Sequence, residues 1–366
     1  MSAHERVYRP WPGVLAGHRA YLLPEISGVG LTLHEGGTPL VAAPRLGSRL
    51  GIDLHLKVEG QNPTGSFKDR GMVAAVAGAM AGGARTVVCA STGNTAASAA
   101  AYSARAGLKC LVILPAGAVS AGKVAQALVY GARLVPVRCG FDRALELARE
   151  LAARTPAVLV NSLNPLRLEG QKTAAFEVAS ALGGAPDFLV LPVGNGGNIR
   201  AYWLGFQQYR RAGLIDRCPR IIGVQALGAD PLVRGEPIAE PRTRATAICI
   251  GRPAGWNGAM DAIRESGGTV LAVDDSQIFA ARDLLAADEG VFAEPASAAA
   301  AAGLACLAER GAVPCGSTVV LVLTGHGLKD PDAVLERACL PPVVEPEFPA
   351  ILAAAGDGGA VDDPGI

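Results

Sequence analysis

DFLVLPVGNGGN, residues 187–198, is the stretch from which the fold of this chain can be read. An apolar, β-branched run over Asp187–Pro192 predicts a strand with no polar face, as parallel strands covered on both sides require. It passes straight into Gly194-Asn195-Gly196-Gly197-Asn198, and a helical pattern begins at Asn198. Closely spaced glycines let backbone N–H groups approach an anion, and the helix N-terminus adds the positive end of its dipole. A bound phosphate is the natural reading. A dinucleotide fingerprint fits less well, because Ile199 stands where its third glycine belongs. No acid follows the next strand, which ends at Gln225, to meet a ribose hydroxyl. A plain strand-to-helix turn remains the bland alternative.

The same pattern repeats outward in both directions. Strands are predicted at Asp53–Val58, Thr86–Ala90, Lys109–Leu114, Arg133–Arg138, Ala157–Asn161, Arg220–Gln225, Thr269–Val273 and Thr318–Leu323. Helices are predicted at Lys68–Ala81, Asn94–Ala106, Ala121–Tyr130, Phe141–Ala153, Gly170–Leu182, Asn198–Ala212, Ser276–Glu289 and Pro295–Glu309. Such alternation specifies an α/β protein with parallel sheets. Ligands of these folds sit beyond the carboxyl ends of the strands, so the strand-to-helix loops carry the chemistry.

Composition narrows the function class. The chain has 366 residues, enough for two domains at about 150 residues each. Lys plus Arg is 33 and Asp plus Glu is 33, which argues against a nucleic-acid partner. Half the residues are hydrophobic, so core material is ample. Eight Cys are scattered without a CxxC, mostly in apolar runs that predict buried free thiols. The opening MSAHERVYRPWPG lacks the apolar core of a signal peptide, and uncharged stretches such as Thr86–Ala104 are too polar to span a membrane. A cytoplasmic location is expected. The tail from Pro341 is rich in Pro, Ala, Asp and Gly and reads as peripheral.

Four further loops stand out. NPTGSFKDRG, residues 62–71, places Lys68 beside Phe67 between two glycines. Partial burial would lower the lysine pKa and suit it to Schiff-base formation with an aldehyde cofactor. A Lys68–Asp69 pair at a helix start is the rival. ASTGNTAAS, residues 90–98, offers Ser91, Thr92, Asn94 and Thr95 beside a helix N-terminus, suited either to a carboxylate or to an ordinary cap. LTGHGLKDP, residues 323–331, puts the Thr324 hydroxyl just past a strand end. His326 has no second ligand at metal spacing and reads as a turn histidine. GAVSAGK, residues 117–123, has P-loop spacing, but Val124 replaces the Ser or Thr that would hold magnesium. Lys123 is left as an anion ligand or a surface lysine.

Taken together and in order, GSFKDRG, STGNTAASAAAY, NSLNPLRLEGQKT, PVGNGGN, EPASAA and LTGHGLKDP resemble the pyridoxal-phosphate (PLP) enzymes of fold type II, in particular the threonine synthases. The likeness runs from about Leu31, ahead of EGGTPL, to about Pro331. It implies two parallel-sheet α/β domains with pyridoxal 5'-phosphate between them, and a homodimer. The larger domain is expected over 1–52 plus 160–340 and the smaller over 53–159, with 341–366 a tail. By resemblance, Lys68 is the Schiff-base lysine and Asn94 faces the cofactor's phenolic oxygen. Gly194, Asn195, Gly196, Gly197 and Asn198 cradle its phosphate, and Thr324 meets the pyridine nitrogen. Ser91, Thr92, Asn94 and Thr95 hold the substrate carboxylate. Lys123, Asn161, Ser162, Arg167 and Asn195 match the positions that grip the phosphate of O-phosphohomoserine in threonine synthases. A phosphomonoester carries about −1.5 to −2 charges at pH 7, so a buried one needs cations and several donors. The loop reads GNGGN where GNAGN is more usual, an extra glycine expected to loosen it. The expected activity is a PLP-dependent lyase making L-threonine and phosphate, with a phosphorylated amino acid as the partner. The alternatives are a cysteate-synthase-like enzyme on O-phosphoserine, a serine or threonine dehydratase, and a non-catalytic PLP-binding homologue.

Overall fold

The structure, a computed structural model, describes residues 10–116, 121–331 and 343–356. They fall into two units, Met1–Asp330 and Pro331–Ile366. In the second, the helix Phe348–Gly356 forms within the Pro/Ala-rich tail.

The first unit holds ten strands: β1 (Leu40–Ala42), β2 (Asp53–Val58), β3 (Thr86–Ala90), β4 (Lys109–Pro115), β5 (Arg133–Val137), β6 (Val158–Leu159), β7 (Phe188–Pro192), β8 (Arg220–Ala226), β9 (Thr269–Val273) and β10 (Thr318–Leu323). One six-stranded sheet has the order β1-β2-β10-β7-β8-β9, and a four-stranded sheet has the order β5-β4-β3-β6. Every pairing is parallel except β1 with β2. The apolar runs divide by parity, as the strand period of two demands. Val190 and Leu321 enter one core with the helix Pro295–Glu309, whereas Leu189, Leu191, Val320 and Val322 enter another with the helix Gly197–Arg211. In the smaller sheet Val87 and Cys89 face the helices Lys68–Ala81 and Asn94–Ala106, while Val88 and Ala90 face Phe141–Arg154. Each fully buried Val or Leu stabilises this arrangement by about 1.5–3 kcal/mol.

Several expectations need correction. Asp53–Val58, expected to open the smaller domain, pairs with β10 over its whole length, Asp53 against Thr318 and Val58 against Leu323. Val14, Leu15, Leu22 and Ile26, expected with the larger domain, pack in the core of the four-stranded sheet. The helix expected over Gly170–Leu182 begins earlier and breaks into Leu166–Gln171 and Thr173–Leu182. The predicted strand Ala157–Asn161 shrinks to β6. β1 was invisible because three residues cannot display a period. Of the seven described cysteines, all free, only Cys89 and Cys110 are buried; Cys315 is exposed.

Candidate active site

The carboxyl ends of β2, β3, β4, β6, β7 and β10 converge on one cavity of about 1100 Å³. Its lining includes every described side chain singled out above: Lys68, the Ser91–Thr95 loop, Asn161, Ser162, Arg167, the Gly194–Asn198 loop and Thr324. Residues 117–120 lie outside the described residues. Lys123 sits in the helix Ala121–Val129, but its side chain is not among those described.

Lys68 is the first residue of its helix. Its Nζ lies 4.4 Å from the centre of the Phe67 ring. The rival pairing with Asp69 does not occur. The Asp69 carboxylate turns away, accepting the Thr64 N–H and Oγ1–H, both at 2.7 Å, and the Ser98 hydroxyl at 2.6 Å. Burial, with the nearby Arg167 guanidinium, lowers the Lys68 pKa to about 7 against the opposing pull of Glu294. The amine can therefore be neutral near physiological pH.

Arg167 is brought beside Lys68 by backbone contact. The helix Leu166–Gln171 meets the lysine helix so closely that a Cβ on Gly170 would fall 1.8 Å from the Arg70 carbonyl oxygen. Only glycine fits there. Buried Arg167 donates from Nη1 to the Val160 carbonyl at 2.8 Å, and its Nε has no partner. Burial lowers its pKa to about 10, so it stays a cation at neutral pH. Ser162 accepts from Asn195 Nδ2 at 3.1 Å, and Asn195 Oδ1 accepts the Ala254 N–H at 2.7 Å. Asn161 differs from the others. Its amide spans the Ala90 backbone, accepting from N–H at 2.8 Å and donating to the carbonyl at 2.9 Å. It ties the ends of β3 and β6 together and has one amide hydrogen to spare.

The glycine loop follows β7 as the sequence predicts. Gly196 caps the helix Gly197–Arg211 at φ +80°, and a Cβ there would meet the Gly255 carbonyl oxygen at 2.8 Å. The extra glycine thus packs the loop against Gly255 rather than loosening it. Buried Asn198 carries an Nδ2 without a partner. The Ser91 loop opens the helix Asn94–Ala106, whose N-cap is Gly93 with no side-chain cap. Capping therefore does not consume these donors. Ser91 Oγ accepts the Gly93 N–H at 3.2 Å; no side-chain hydrogen bond engages Thr92 or Thr95 among the described residues. Thr324, buried past β10, lies 2.9 Å from Ser297 Oγ. If Ser297 donates, the Thr324 hydrogen is left for an acceptor such as a pyridine nitrogen. His326 Nδ1 accepts the Leu328 N–H at 3.1 Å and closes the turn Gly327–Lys329.

The family pattern described as pyridoxal-phosphate dependent enzyme matches residues 31–325. Over 330 residues the chain is 57% identical to the threonine synthase of Mycobacterium leprae, covering 90% of this chain and 92% of that one. It is 53% identical to the threonine synthase of Synechocystis, over 90% of this chain and 86% of the relative. This chain belongs to the threonine synthase family of PLP-dependent enzymes. Among solved structures, an O-ureido-L-serine synthase matches with a TM-score of 0.71 at 25% identity, covering 87% of this chain and 97% of that chain. A threonine deaminase from T.th. matches with a TM-score of 0.64 at 28% identity, covering 83% of this chain and 94% of that one. As a member of that family the chain is a PLP-dependent lyase of the type II fold. Its residues suit the cofactor. The orphaned Asn198 Nδ2 and the N–H groups heading Gly197–Arg211 offer donors for a phosphate, with Thr324 and Lys68 in the same cavity.

Two residues escaped sequence reasoning. Glu294, in the quoted EPASAA, is buried in the cavity wall and accepts from Asn94 Nδ2. Gln171, in the quoted EGQKT, is buried with its Oε1 unpartnered, and its Nε2 packs on Gly71 next to Arg167 Nε. Neither has a local sequence signal, because a buried Glu and an exposed one are spelled alike.

Proposed function

We propose that the chain converts O-phospho-L-homoserine and water into L-threonine and phosphate. One observation carries the reading. Arg167, Ser162 and Asn195 share one cavity with a lysine whose pKa is lowered to about 7. Lys68 anchors the cofactor, and the Gly194–Asn198 loop with Thr324 orients it. Bound there, PLP supplies an electron sink for charge developing at the substrate Cα. The Ser91–Thr95 loop takes the substrate carboxylate. Arg167, Ser162 and Asn195, with Lys123, take the phosphate, replacing the water it loses. Lys68, released by the substrate amine, removes the Cα proton. A proton leaves Cβ and phosphate leaves Cγ; Cγ then gains a proton, water adds its hydroxyl at Cβ, Cα regains a proton, and the remaining proton goes to the released phosphate. Lys68 serves as base and acid in this reading, its lowered pKa suiting it to both.

The test is phosphate release with product identification on PLP-loaded protein, given O-phosphohomoserine or O-phosphoserine. Threonine and phosphate from the first alone support the reading. Phosphate from phosphoserine alone, above all with sulfite present, overturns the substrate while keeping Lys68. No release from either points to an unrecognised substrate, such as that of a serine or threonine dehydratase, or to a non-catalytic homologue.

We also take the protein to be a cytoplasmic homodimer, as the family resemblance implies; light scattering should give twice the chain mass. No helix among the described residues is long and apolar enough to cross a membrane.

A further inference from the structure

Glu294 has no part in the reaction as set out above, yet it lines the cavity. It is 4% exposed and immediately precedes the helix Pro295–Glu309. Its backbone N–H donates to the Gly325 carbonyl at 3.0 Å. Its carboxylate occupies the space a side chain on residue 325 would need, since a Cβ on Gly325 would lie 2.4 Å from Oε1. The two oxygens lie 3.3 and 3.0 Å from Asn94 Nδ2. Burial raises the Glu294 pKa, opposed by the Asn94 hydrogen bond and the Lys329 and Lys68 ammonium groups, while the Asp330 carboxylate adds to the rise. A carboxylate from the β10 end of the larger sheet thus reaches an amide at the head of the helix that follows β3.

Burying a carboxylate costs several kcal/mol unless it is well paired, and here its contact partner is a neutral amide. Stability does not account for it. An amide presents two hydrogens at one end and an oxygen at the other. A carboxylate accepts only from the nitrogen end, so it decides which way Asn94 points and leaves the second Nδ2 hydrogen for another acceptor. We propose that Glu294 is a positioning residue: it fixes the Asn94 amide for the cofactor's phenolic oxygen and sets a negative charge beside Lys68. This rests on the roles of Asn94 and Lys68 proposed above. The negative charge opposes the lowering of the Lys68 pKa by burial and Arg167. It keeps the amine from becoming neutral far below physiological pH, where no proton could be held and returned.

Two measurements test it. In apoprotein, the rate at which an amine reagent modifies Lys68, followed by mass spectrometry across pH, should show a midpoint near 7. Glu294→Gln keeps an acceptor for Asn94 and removes the charge, so the midpoint should fall by about one pH unit. An unchanged midpoint overturns the charge role. PLP affinity, read by absorbance titration, should change by less than about threefold in Glu294→Gln but weaken by about tenfold in Asn94→Ala and Glu294→Leu. The double variant Asn94→Ala/Glu294→Leu should be no weaker than Asn94→Ala alone. Additive losses overturn positioning through Asn94. If Glu294→Leu does not fold, Glu294→Ala, alone and combined with Asn94→Ala, supplies the same cycle. If Asn94→Ala leaves PLP affinity intact, or wild-type PLP does not attach at Lys68, the underlying site assignment fails instead.

Discussion

Lys68 is an ordinary lysine made reactive by where it stands. With its pKa lowered to about 7 by burial, the neutral amine dominates above that pH. Cofactor capture by apoprotein should accordingly slow by about tenfold for each pH unit below 7 and level off above it. A capture rate flat from pH 5 to 8 would contradict this. Lys68→Ala should lose both turnover and the absorbance of bound cofactor; retention of either would remove Lys68 from its role. Arg167→Gln keeps much of the volume and a donor but loses the charge. It should raise KM for the phosphorylated substrate by about a hundredfold, the scale of a charge-assisted hydrogen bond, with PLP affinity little changed. Equal losses in both would make Arg167 a structural residue. That these residues would meet in one cavity was readable from their motifs, because loops at strand ends face the same side of a parallel sheet. Lys68 and Thr324 were legible in this way. Glu294 and Gln171 were not, since nothing in their neighbours along the chain announces burial.

Among the elements, the helix contact through Gly170 governs whether Arg167 and Lys68 share a site. A methyl group at 170 would overlap the Arg70 carbonyl oxygen, so the two helices would have to part. Gly170→Ala is expected to destabilise by about 3 kcal/mol and to raise the substrate KM. A variant with wild-type melting and KM would show that the contact is dispensable. Just beyond it, buried Arg70 donates to Glu59 through Nε at 2.7 Å and to Glu177 through Nη1 at 2.6 Å, while Lys57 Nζ reaches Glu177 at 2.6 Å. The network joins β2, the lysine helix and the helix Thr173–Leu182. Removing the Arg70 side chain leaves two carboxylates short of their main cation, at a cost of about 3–5 kcal/mol in thermal or urea unfolding. Most of these elements were visible in the sequence, because strands covered on both faces and long apolar helices carry strong periodic signals. The break at Lys172 was not. A six-residue helix followed at once by another has the same local spelling as one longer helix.

Across the first unit as a whole, the cavity is where both sheets present their strand ends. Cofactor bound there contacts native structure from both, so its removal should lower the melting temperature. At one hundred times Kd the stabilisation is about 2.7 kcal/mol. Equal melting of apo and PLP-loaded protein would argue against cofactor binding to the folded unit. Local residue patterns were enough to establish the fold class, nearly all the strands and the loops that line the cavity. Residue alternation and loop chemistry are local, and a strand must bury its faces wherever it lies. Packing settled what depends on meeting a distant partner. It sent Asp53–Val58 to the larger sheet by pairing it with Thr318–Leu323, and gave the N-terminal Val14 and Leu15 to the smaller sheet's core. It also set Glu294 against Asn94 and Arg167 beside Lys68. Backbone pairing and side-chain burial between residues far apart in the chain are collective choices, made by the packing of the whole unit.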